Sequence, residues 1–215
     1  MFSCCCHARA AGGLFSRFSR YYRYRYRWFG LEHSQRQLLR GLERIGYHGA
    51  SLLEIGCGVG YLHQWLLKHG AAKATGVDLS PVMLEEARQL AREQGLGNKV
   101  FYRQGDFIEL SESLDSADIV LLDKVICCYP DAEGLLARAS EKAGRVLALT
   151  YPRAHPLNRF GMGALNLLLS LSGSDFRTWL HDPEHIEKYL SDLGWKKSYQ
   201  ADTLIWLSQV YSPKK

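Results

Sequence analysis

The chain has 215 residues, of which 47% are hydrophobic and only six are prolines, a composition that fits one folded domain and excludes a disordered chain. The formal net charge is +5, and residues 1–31 contain six arginines and no acidic residue, so the rest of the chain is close to neutral. This uneven distribution argues against a broad nucleic-acid face on the body of the protein. It restricts any attraction for anions to the N-terminal arm.

The cysteines and the N-terminus bear on the compartment in which the protein works. Cys4, Cys5 and Cys6 are consecutive and Cys127 and Cys128 are adjacent, which is unlike the spaced disulfide framework of a small secreted protein. No run is long and apolar enough to span a bilayer. We therefore expect a cytoplasmic protein, although the arginine-rich, acid-free N-terminus is also what a mitochondrial transit peptide would show.

From residue 51 onward, short apolar runs alternate with stretches of helical periodicity, which indicates a parallel sheet covered by crossover helices. Strands are predicted over residues 51–55, 74–77, 100–103, 119–122, 145–150, 195–200 and 204–211. Helices are predicted after the first strand, from Pro81 to a stop at Gly95, over 132–142, and from Pro183 to a stop at Gly194. The short connection between the last two strands predicts that they are antiparallel.

The N-terminal part, residues 1–48, is predicted to be a basic and aromatic arm with lid helices, which precedes a sheet domain of residues 49–215. Arginines and aromatic rings are interspersed from Arg17 to Trp28. Such a surface could bind RNA or another anionic ligand. We favour a lid over the mouth of the ligand site, because an apolar helical stripe follows the arm directly. The stripe consists of Leu38, Leu39, Leu42 and Ile45.

A glycine-rich turn follows the first predicted strand, in the run Leu-Glu-Ile-Gly-Cys-Gly-Val-Gly over residues 53–60. Glycine is needed where the main chain turns sharply or where a ligand approaches it closely, although a tight turn without a ligand also explains such a run. Asp78 ends the second strand, where an acidic side chain of a nucleotide-binding unit accepts hydrogen bonds from ribose hydroxyls. The alternative, that Asp78 caps the next helix, is disfavoured because Ser80 already supplies a cap before Pro81.

The phase of the glycines distinguishes between nucleotide cofactors. A dinucleotide fingerprint would place its third glycine at Tyr61, whereas this chain has it at Gly60, so an NAD-dependent oxidoreductase is disfavoured. An acidic residue followed by Gly-x-Gly-x-Gly, which this chain has from Glu54 to Gly60, resembles the first motif of the class I S-adenosylmethionine (SAM) dependent methyltransferases. The resemblance covers residues 52–152. It implies an α/β, Rossmann-like fold with a mostly parallel seven-stranded sheet, an antiparallel last strand and helices on both faces.

The resemblance also implies which residues bind SAM. Glu54 would position the charged methionine end of the cofactor, and Asp78, with Leu79 beside it, would bind the ribose. Asp106 would face the adenine amino group and Phe107 the adenine ring, although a Gly-Asp pair is also typical of a surface turn. The loop glycines that would meet the methionine and ribose parts are Gly56, Gly58 and Gly60.

The segment after the fourth strand carries further candidates. Asp123 is assigned to the cofactor site, and Asp123 and Lys124 would border the transferable methyl group, because the carboxyl ends of strands line the ligand crevice of open α/β sheets. Residues 122–130 and 151–153 resemble a narrower group, the magnesium-protoporphyrin O-methyltransferases. Cys127 and Cys128 could be a catalytic thiol, soft-metal ligands or buried small side chains. We favour the last, since methyl transfer from a sulfonium needs no enzyme nucleophile, and we predict no metal site.

Acid and base candidates near the predicted crevice are Tyr129, Tyr151, Arg153 and His155. Among them only His155 has a reference pKa close to neutrality. We take His155 and Tyr129 as the candidate catalytic residues. A histidine between an alanine and a proline could equally be a solvated loop residue.

The acceptor is predicted to be a small, partly apolar molecule that enters between the N-terminal arm and residues 151–171. Apolar side chains are concentrated just after the fifth strand, at Leu157, Phe160, Met162, Leu165, Leu168 and Leu169. Ordinary packing of a helix explains them equally well. Arg153 and Arg159 could clamp an anionic group, so carboxyl O-methylation is the leading interpretation. The alternative is a non-catalytic or RNA-associated protein that keeps the SAM-binding fold.

Overall fold

The computed structural model describes Gly13, residues 24–26 and residues 28–214 of the chain. Its strands are β1 (Ser51–Ile55), β2 (Lys73–Asp78), β3 (Val100–Gln104), β4 (Ala117–Asp123), β5 (Ala143–Pro152), β6 (Trp195–Asp202) and β7 (Trp206–Pro213). Its main helices are α1 (His33–Ile45), α2 (Tyr61–Lys68), α3 (Pro81–Glu93), α4 (Phe107–Leu110), α5 (Ala132–Lys142), α6 (Pro156–Leu171) and α7 (Pro183–Asp192). Short 3₁₀ turns cover Ser111–Ser113 and Ile126–Cys128.

The strands form a seven-stranded sheet in the order β3-β2-β1-β4-β5-β7-β6. The neighbours among β1 to β5 pair in parallel, whereas β7 runs antiparallel to both β5 and β6. The predicted fold class is therefore confirmed, including the antiparallel last strand. The order of the strands reverses between β1 and β4, and at such a switch point the loops after neighbouring strands diverge and open a crevice.

The sheet is buried on both faces, which explains why its central strands lack a polar and apolar alternation. Residues 119–122 of β4 are fully buried, and alternate members of this run belong to opposite core layers. One layer contains Leu38 of α1 and Leu62 of α2, and the other contains Leu135 of α5 and Ile186 of α7. The helices thus cover both faces, as the sequence predicted.

The last strand begins later than predicted. The hydroxyl of Thr203 accepts the N–H groups of Ile205 at 3.3 Å and Trp206 at 2.8 Å, so a turn occupies this segment and β7 begins only at Trp206. α6 begins at Pro156, and the sequence analysis set no bounds for this helix. The side chain of His155 caps the helix and the proline fits its first turn, so the helix nucleates at this point.

α6 crosses the carboxyl edge of the sheet. Near its start, Asn158 Nδ2 donates to the carbonyl oxygen of Ile205, directly before β7, at 2.9 Å. Near its end, Leu169 packs with Phe176 and with Leu79, which directly follows β2. The helix therefore runs from the β5 and β7 side towards the β2 side and forms a roof over the crevice.

α1 packs on the sheet. Leu38 and Leu42 are fully buried in the same layer as β1 and α2, and the Ser208 hydroxyl of β7 donates to the carbonyl oxygen of Ser34 at 3.1 Å. A boundary at residue 48 stays a prediction, and most of the arm lies outside the described residues. Within the part of the chain that the structure describes, no helix combines the length and the apolar character needed to cross a membrane.

Candidate cofactor site

The glycine loop connects β1 to α2 at the switch point of the sheet. Gly56, Gly58 and Gly60 have φ angles of 64°, 52° and 79°, in the left-handed region that favours glycine. A Cβ at Gly56 would lie 2.3 Å from the Val125 side chain, and one at Gly60 would lie 2.7 Å from the His63 ring. A Cβ at Gly58 would meet nothing within 4 Å, so the main chain is open to a ligand there.

Asp78 holds the loop from the end of β2. Its Oδ2 accepts the N–H of Gly58 at 2.8 Å, and its Oδ1 accepts the N–H of Ser80 at 2.8 Å. Ser80 in turn accepts the Met83 N–H and caps α3, as the sequence predicted. Burial raises the pKa of the Asp78 carboxyl, and the hydrogen bonds from the main chain oppose this shift. Its contact with a ribose stays a prediction.

Glu54 is buried under the start of α2. Its Oε2 accepts the Nδ1–H of His63 at 2.5 Å and the His63 main-chain N–H at 3.2 Å. Burial raises the pKa of the Glu54 carboxyl, and the contacts with His63 lower it. The carboxylate thus fixes the first turn of α2, directly after the glycine loop. Its predicted place at the methionine end of the cofactor stays a prediction.

His63 belongs to a buried polar cluster that the sequence analysis missed. The ring Nε2 lies 3.0 Å from the Tyr102 hydroxyl oxygen of β3. Gln64 Nε2 donates to that hydroxyl and to the Ala87 carbonyl oxygen of α3, both at 2.9 Å. The cluster joins α2, α3 and β3 behind the loop. No local pattern marks His63, since its partners come from distant parts of the chain.

Asp123 ends β4 beside Thr150 of β5. Its Oδ2 accepts Gln35 Nε2 of α1 at 2.7 Å. Its Oδ1 and the Thr150 hydroxyl oxygen are buried and have no hydrogen-bond partner among the described residues. Buried polar atoms are normally hydrogen-bonded, so these two oxygens at the crevice are candidates for contact with a ligand.

Lys124 ties the crevice to the N-terminal segment. Within the described ranges it is the one residue other than glycine with a positive φ, 63°, a conformation that persists only where the surroundings hold it. Its Nζ forms an ion pair with Glu32 and lies 5.1 Å from the Trp206 ring centroid. Glu32 also pairs with Arg25 at 2.7 Å. Glu32 is therefore the link between the segment before α1 and the end of β4.

The ring of Tyr26 stacks on the ring of Tyr61, with centroids 3.8 Å apart and an interplanar angle of 11°. Tyr61 is the first residue of α2 and directly follows the glycine loop. The segment before α1 thus contacts both sides of the switch point. This arrangement supports the lid interpretation, and most of the predicted RNA-binding run lies outside the described residues.

Asp106 and Tyr129 form a pair in the structure. Asp106 caps the short helix α4, and its Oδ1 accepts the Ile108 N–H at 2.9 Å and the Tyr129 hydroxyl at 3.0 Å. Burial and the neighbouring carboxylate raise the pKa of Tyr129, so its hydroxyl stays protonated and donates. Phe107 is fully buried in the core layer that contains α5, so core packing accounts for it. Their contacts with adenine, and the catalytic role of Tyr129, stay predictions.

The remaining candidates surround the start of α6. His155 is exposed, and its Nδ1 accepts the Leu157 N–H at 3.3 Å, which gives it a capping role. Arg153 pairs with Asp202 at 2.6 Å, so its charge is already engaged. Arg159 is exposed. The catalytic role of His155 stays a prediction.

The cysteines of the crevice are packed as small side chains. Cys127 is buried and Cys128 is half-buried, and their sulfur atoms lie 3.6 Å and 3.9 Å from the Lys124 carbonyl oxygen. Cys57 lies buried within the glycine loop, and burial raises the pKa of its thiol. Cys4, Cys5 and Cys6 lie outside the described residues.

The charges of the crevice select among cofactors. Carboxylates stand at or just beyond the carboxyl ends of the first four strands, as Glu54, Asp78, Asp106 and Asp123. SAM carries a sulfonium and an ammonium group, so this acidic rim attracts it, whereas the phosphates of a dinucleotide would be repelled. The open main chain at Gly58 and the unpartnered Asp123 Oδ1 give such a ligand room and an acceptor. These residues therefore fit SAM.

Comparison with known proteins agrees with this site. Residues 52–148, from β1 into β5, match the family described as "Methyltransferase domain". The chain is 28% identical over 159 residues to a ubiquinone biosynthesis O-methyltransferase of Pseudomonas paraeruginosa, a match that covers 71% of this chain and 67% of that protein. It is 32% identical over 114 residues to a ribosomal protein L11 methyltransferase of Alteromonas mediterranea, with 50% of this chain and 39% of that protein covered.

A solved structure shows the same architecture over most of the chain. Magnesium protoporphyrin IX methyltransferase from Synechocystis PCC 6803, with bound S-adenosylhomocysteine, superposes with a TM-score of 0.69 at 23% identity. The superposition covers 85% of this chain and 84% of that one. By contrast, the chain spans 23% to 39% of the length of three curated relatives to which it is 30% to 32% identical. The match thus covers less than half of each of these relatives.

Proposed function

Because residues 52–148 match the methyltransferase-domain family and the acidic crevice fits SAM, we propose that the protein is a class I SAM-dependent methyltransferase that transfers the methyl group of SAM to an oxygen atom of a small, partly apolar acceptor. A carboxylate is the leading acceptor group. The observation that carries the proposal is the path of α6, which places the side chains of Met162 and Leu169 over the carboxyl ends of the strands. Bound SAM supplies an already activated methyl group, so the protein has to align the acceptor and exclude water.

The residues proposed to hold the cofactor are those of the acidic crevice. Asp78 would accept hydrogen bonds from the ribose hydroxyls, and the unpartnered oxygen of Asp123 would face the positively charged sulfonium and its transferable methyl group. Glu54 would act through the first turn of α2, which it fixes through His63. Asp106 would meet the adenine amino group from its position at the start of α4.

The acceptor would lie beneath α6. Met162 is half-buried and Leu169 is buried on the side of the helix that packs onto the protein, whereas the other apolar side chains predicted to line the acceptor path are exposed. Leu169 and Phe176 pack next to Leu79 and Cys128, directly above the strand ends. The apolar part of an acceptor can therefore pack against Met162, Leu169 and Phe176.

A carboxylate suits this crevice better than an acceptor that needs a strong base. The phenol of Tyr129 stays protonated next to Asp106, and His155 is exposed and engaged as a helix cap. A carboxylate is already ionised at neutral pH and needs no proton removed before attack. The exposed Arg159, the charged residue of α6, can orient it. The O-methyltransferase among the relatives supports oxygen as the acceptor atom.

The test is methyl transfer from labelled SAM to aliphatic and aromatic carboxylic acids of increasing apolar size. We expect methyl esters, identified by mass spectrometry, with KM falling as apolar size increases. Arg159→Ala should raise the acceptor KM roughly tenfold and leave SAM affinity unchanged. Label on protein or RNA fractions and none on the carboxylic acids would refute the proposed acceptor. Loss of SAM binding with an unaltered acceptor KM would assign Arg159 to the cofactor instead.

A further inference from the structure

α6 exposes its most apolar side to the outside. Asn158 and Leu169 are its buried side chains, yet Phe160 and Leu171 are 78% and 77% exposed. Leu167 is also exposed. With 3.6 residues per turn, the three exposed side chains lie on one face, opposite the two buried ones. An ordinary surface helix has the reverse arrangement, with its apolar face on the core.

The apolar face continues onto the neighbouring turn. Asn158 binds the Ile205 carbonyl oxygen, so the turn between β6 and β7 adjoins the start of α6, and Leu204 in that turn is exposed. We call this surface the roof patch. Its members are Leu157, Phe160, Leu167, Leu168, Leu171 and Leu204, all exposed. Contiguous apolar surface of this kind marks an interaction site.

The charges around the roof patch favour one kind of partner. α6 has one charged residue, Arg159, and residues 152–174 contain no acidic residue. A two-fold contact between copies would set this helix against itself, with no carboxylate on the helix to pair with the arginine. Residues 1–31 of the N-terminal arm are also cationic and contain no acidic residue. An anionic, apolar partner complements the patch where a second copy and the arm do not.

We propose that α6 lies in the interfacial plane of a bilayer that contains anionic lipid, with the roof patch among the upper acyl chains and Arg159 at the headgroups. The helix has 16 residues, about 24 Å of length, which is too short to span a hydrocarbon core of about 30 Å but suits a helix that lies on the surface. A cytoplasmic protein, as the cysteine pattern predicts, faces the leaflet that carries anionic lipid.

This placement of α6 also bears on the acceptor, and that step rests on the proposed function. The underside of α6 roofs the crevice while its outer face rests on lipid, so an amphiphilic carboxylate can pass from the bilayer to the crevice without crossing water. The acceptor class would then be membrane-partitioning carboxylic acids. Binding to the bilayer itself depends only on the roof patch and its charge.

The test uses the full chain and vesicles of an equimolar mixture of phosphatidylglycerol and phosphatidylcholine, with pure phosphatidylcholine for comparison. We expect the protein to sediment with the mixed vesicles and only weakly with phosphatidylcholine alone. The triple variant Phe160→Ser, Leu168→Ser, Leu171→Ser should lose vesicle affinity roughly tenfold or more. Phe101→Ser is the matched control, because Phe101 is 64% exposed near the amino end of β3, whereas the roof patch lies at the carboxyl edge of the sheet, and this variant should bind like wild type.

SAM affinity, measured by titration calorimetry, should be equal in all these proteins and shows that each is folded. Equal vesicle binding by the triple variant would assign lipid binding to another part of the chain, such as the arm, and overturn the proposal. A wild-type dimer that dissociates in the triple variant, without vesicle binding, would make the roof patch a self-association surface. Vesicle binding without methylation of any carboxylic acid would refute the acceptor class alone.

Discussion

Glu54 and His63 form a buried hydrogen-bonded pair, and their contacts give this pair a structural role. Both side chains are almost inaccessible to solvent, and the glutamate reaches both the ring and the main chain of the histidine. Removing one partner of such a pair leaves the other buried without compensation, which is strongly destabilising. The pair therefore determines how the glycine loop enters α2, and the loop geometry depends on it.

The raised pKa of Glu54 gives a pH dependence that can be measured. Below its ordinary pKa of 4.5 the carboxyl is protonated in both the folded and the unfolded chain. The protonated carboxyl then makes its full contribution to the free energy of unfolding. As the pH rises through the raised folded pKa, this contribution is lost. We expect the free energy of unfolding of wild type to fall relative to Glu54→Gln as the pH increases above about 4.5.

Urea unfolding of both proteins over a pH series measures this difference. The pKa of Asp78 is also raised, but Asp78 is present in both proteins, so its effect on stability cancels when the two are compared. A difference between wild type and Glu54→Gln that stays constant with pH would mean that the Glu54 carboxyl ionises alike in the folded and unfolded chains.

At the scale of elements, α1 and α6 approach the crevice from two directions. The segment before α1 reaches it through Glu32, which pairs with Arg25 and Lys124, and through the stacking of Tyr26 on Tyr61. α6 roofs it from the β5 side. Elements that close over a site affect the rates of ligand entry and release more than they affect the chemical step. If the segment before α1 opens and closes over the site, breaking its ion pairs through Glu32 should change the rate at which the cofactor dissociates.

Glu32→Ala removes both ion pairs and the capping box at the start of α1. We expect S-adenosylhomocysteine to dissociate several-fold faster, about threefold to tenfold, with little change in the association rate. Surface plasmon resonance measures both rates. Glu85→Ala is the matched control, because Glu85 pairs with Arg88 and Arg92 on the exposed face of α3 and should leave both rates unchanged. Unaltered dissociation in Glu32→Ala would contradict the lid.

At the scale of the whole molecule, the crevice is built from five strands and the loops that follow them. The ligand site lies where the strand order reverses, so its residues come from segments that are far apart in sequence and share one rigid sheet. A ligand that binds only this assembled site stabilises the entire fold by mass action.

We expect S-adenosylhomocysteine at a hundred times its Kd to stabilise the fold by about 2.7 kcal/mol, which raises Tm by roughly 5–10 °C for a chain of this size. Asp78→Ala should weaken binding roughly tenfold and give about half that shift or less at the same ligand concentration. Asp118→Asn is the matched control, because Asp118 bonds Ser51 at the opposite, amino end of β4. Its Tm can be lower without ligand, but the shift on adding ligand should equal that of wild type.

Differential scanning calorimetry measures the Tm of wild type, Asp78→Ala and Asp118→Asn with and without ligand. Equal shifts in Asp78→Ala and wild type would remove Asp78 from the cofactor site.

The sequence by itself determined the order of the strands and helices and the position of the glycine loop. Periodicity reports which residues of a segment are buried, and the phase of Gly56, Gly58 and Gly60 depends only on neighbouring residues, so both can be seen without coordinates. The cap at Ser80 was predictable for the same reason. These features arise from interactions between residues that are close in the chain.

The tertiary structure alone decided the partners of those residues and the direction in which α6 faces. Gln35 meets Asp123 across 88 positions, and His63 meets Tyr102 across 39, and no local pattern encodes such pairs. Periodicity shows that α6 has an apolar face, but it cannot show whether that face meets the core or the outside. That choice depends on where Asn158 and Leu169 find partners, and those partners come together only when the sheet has formed.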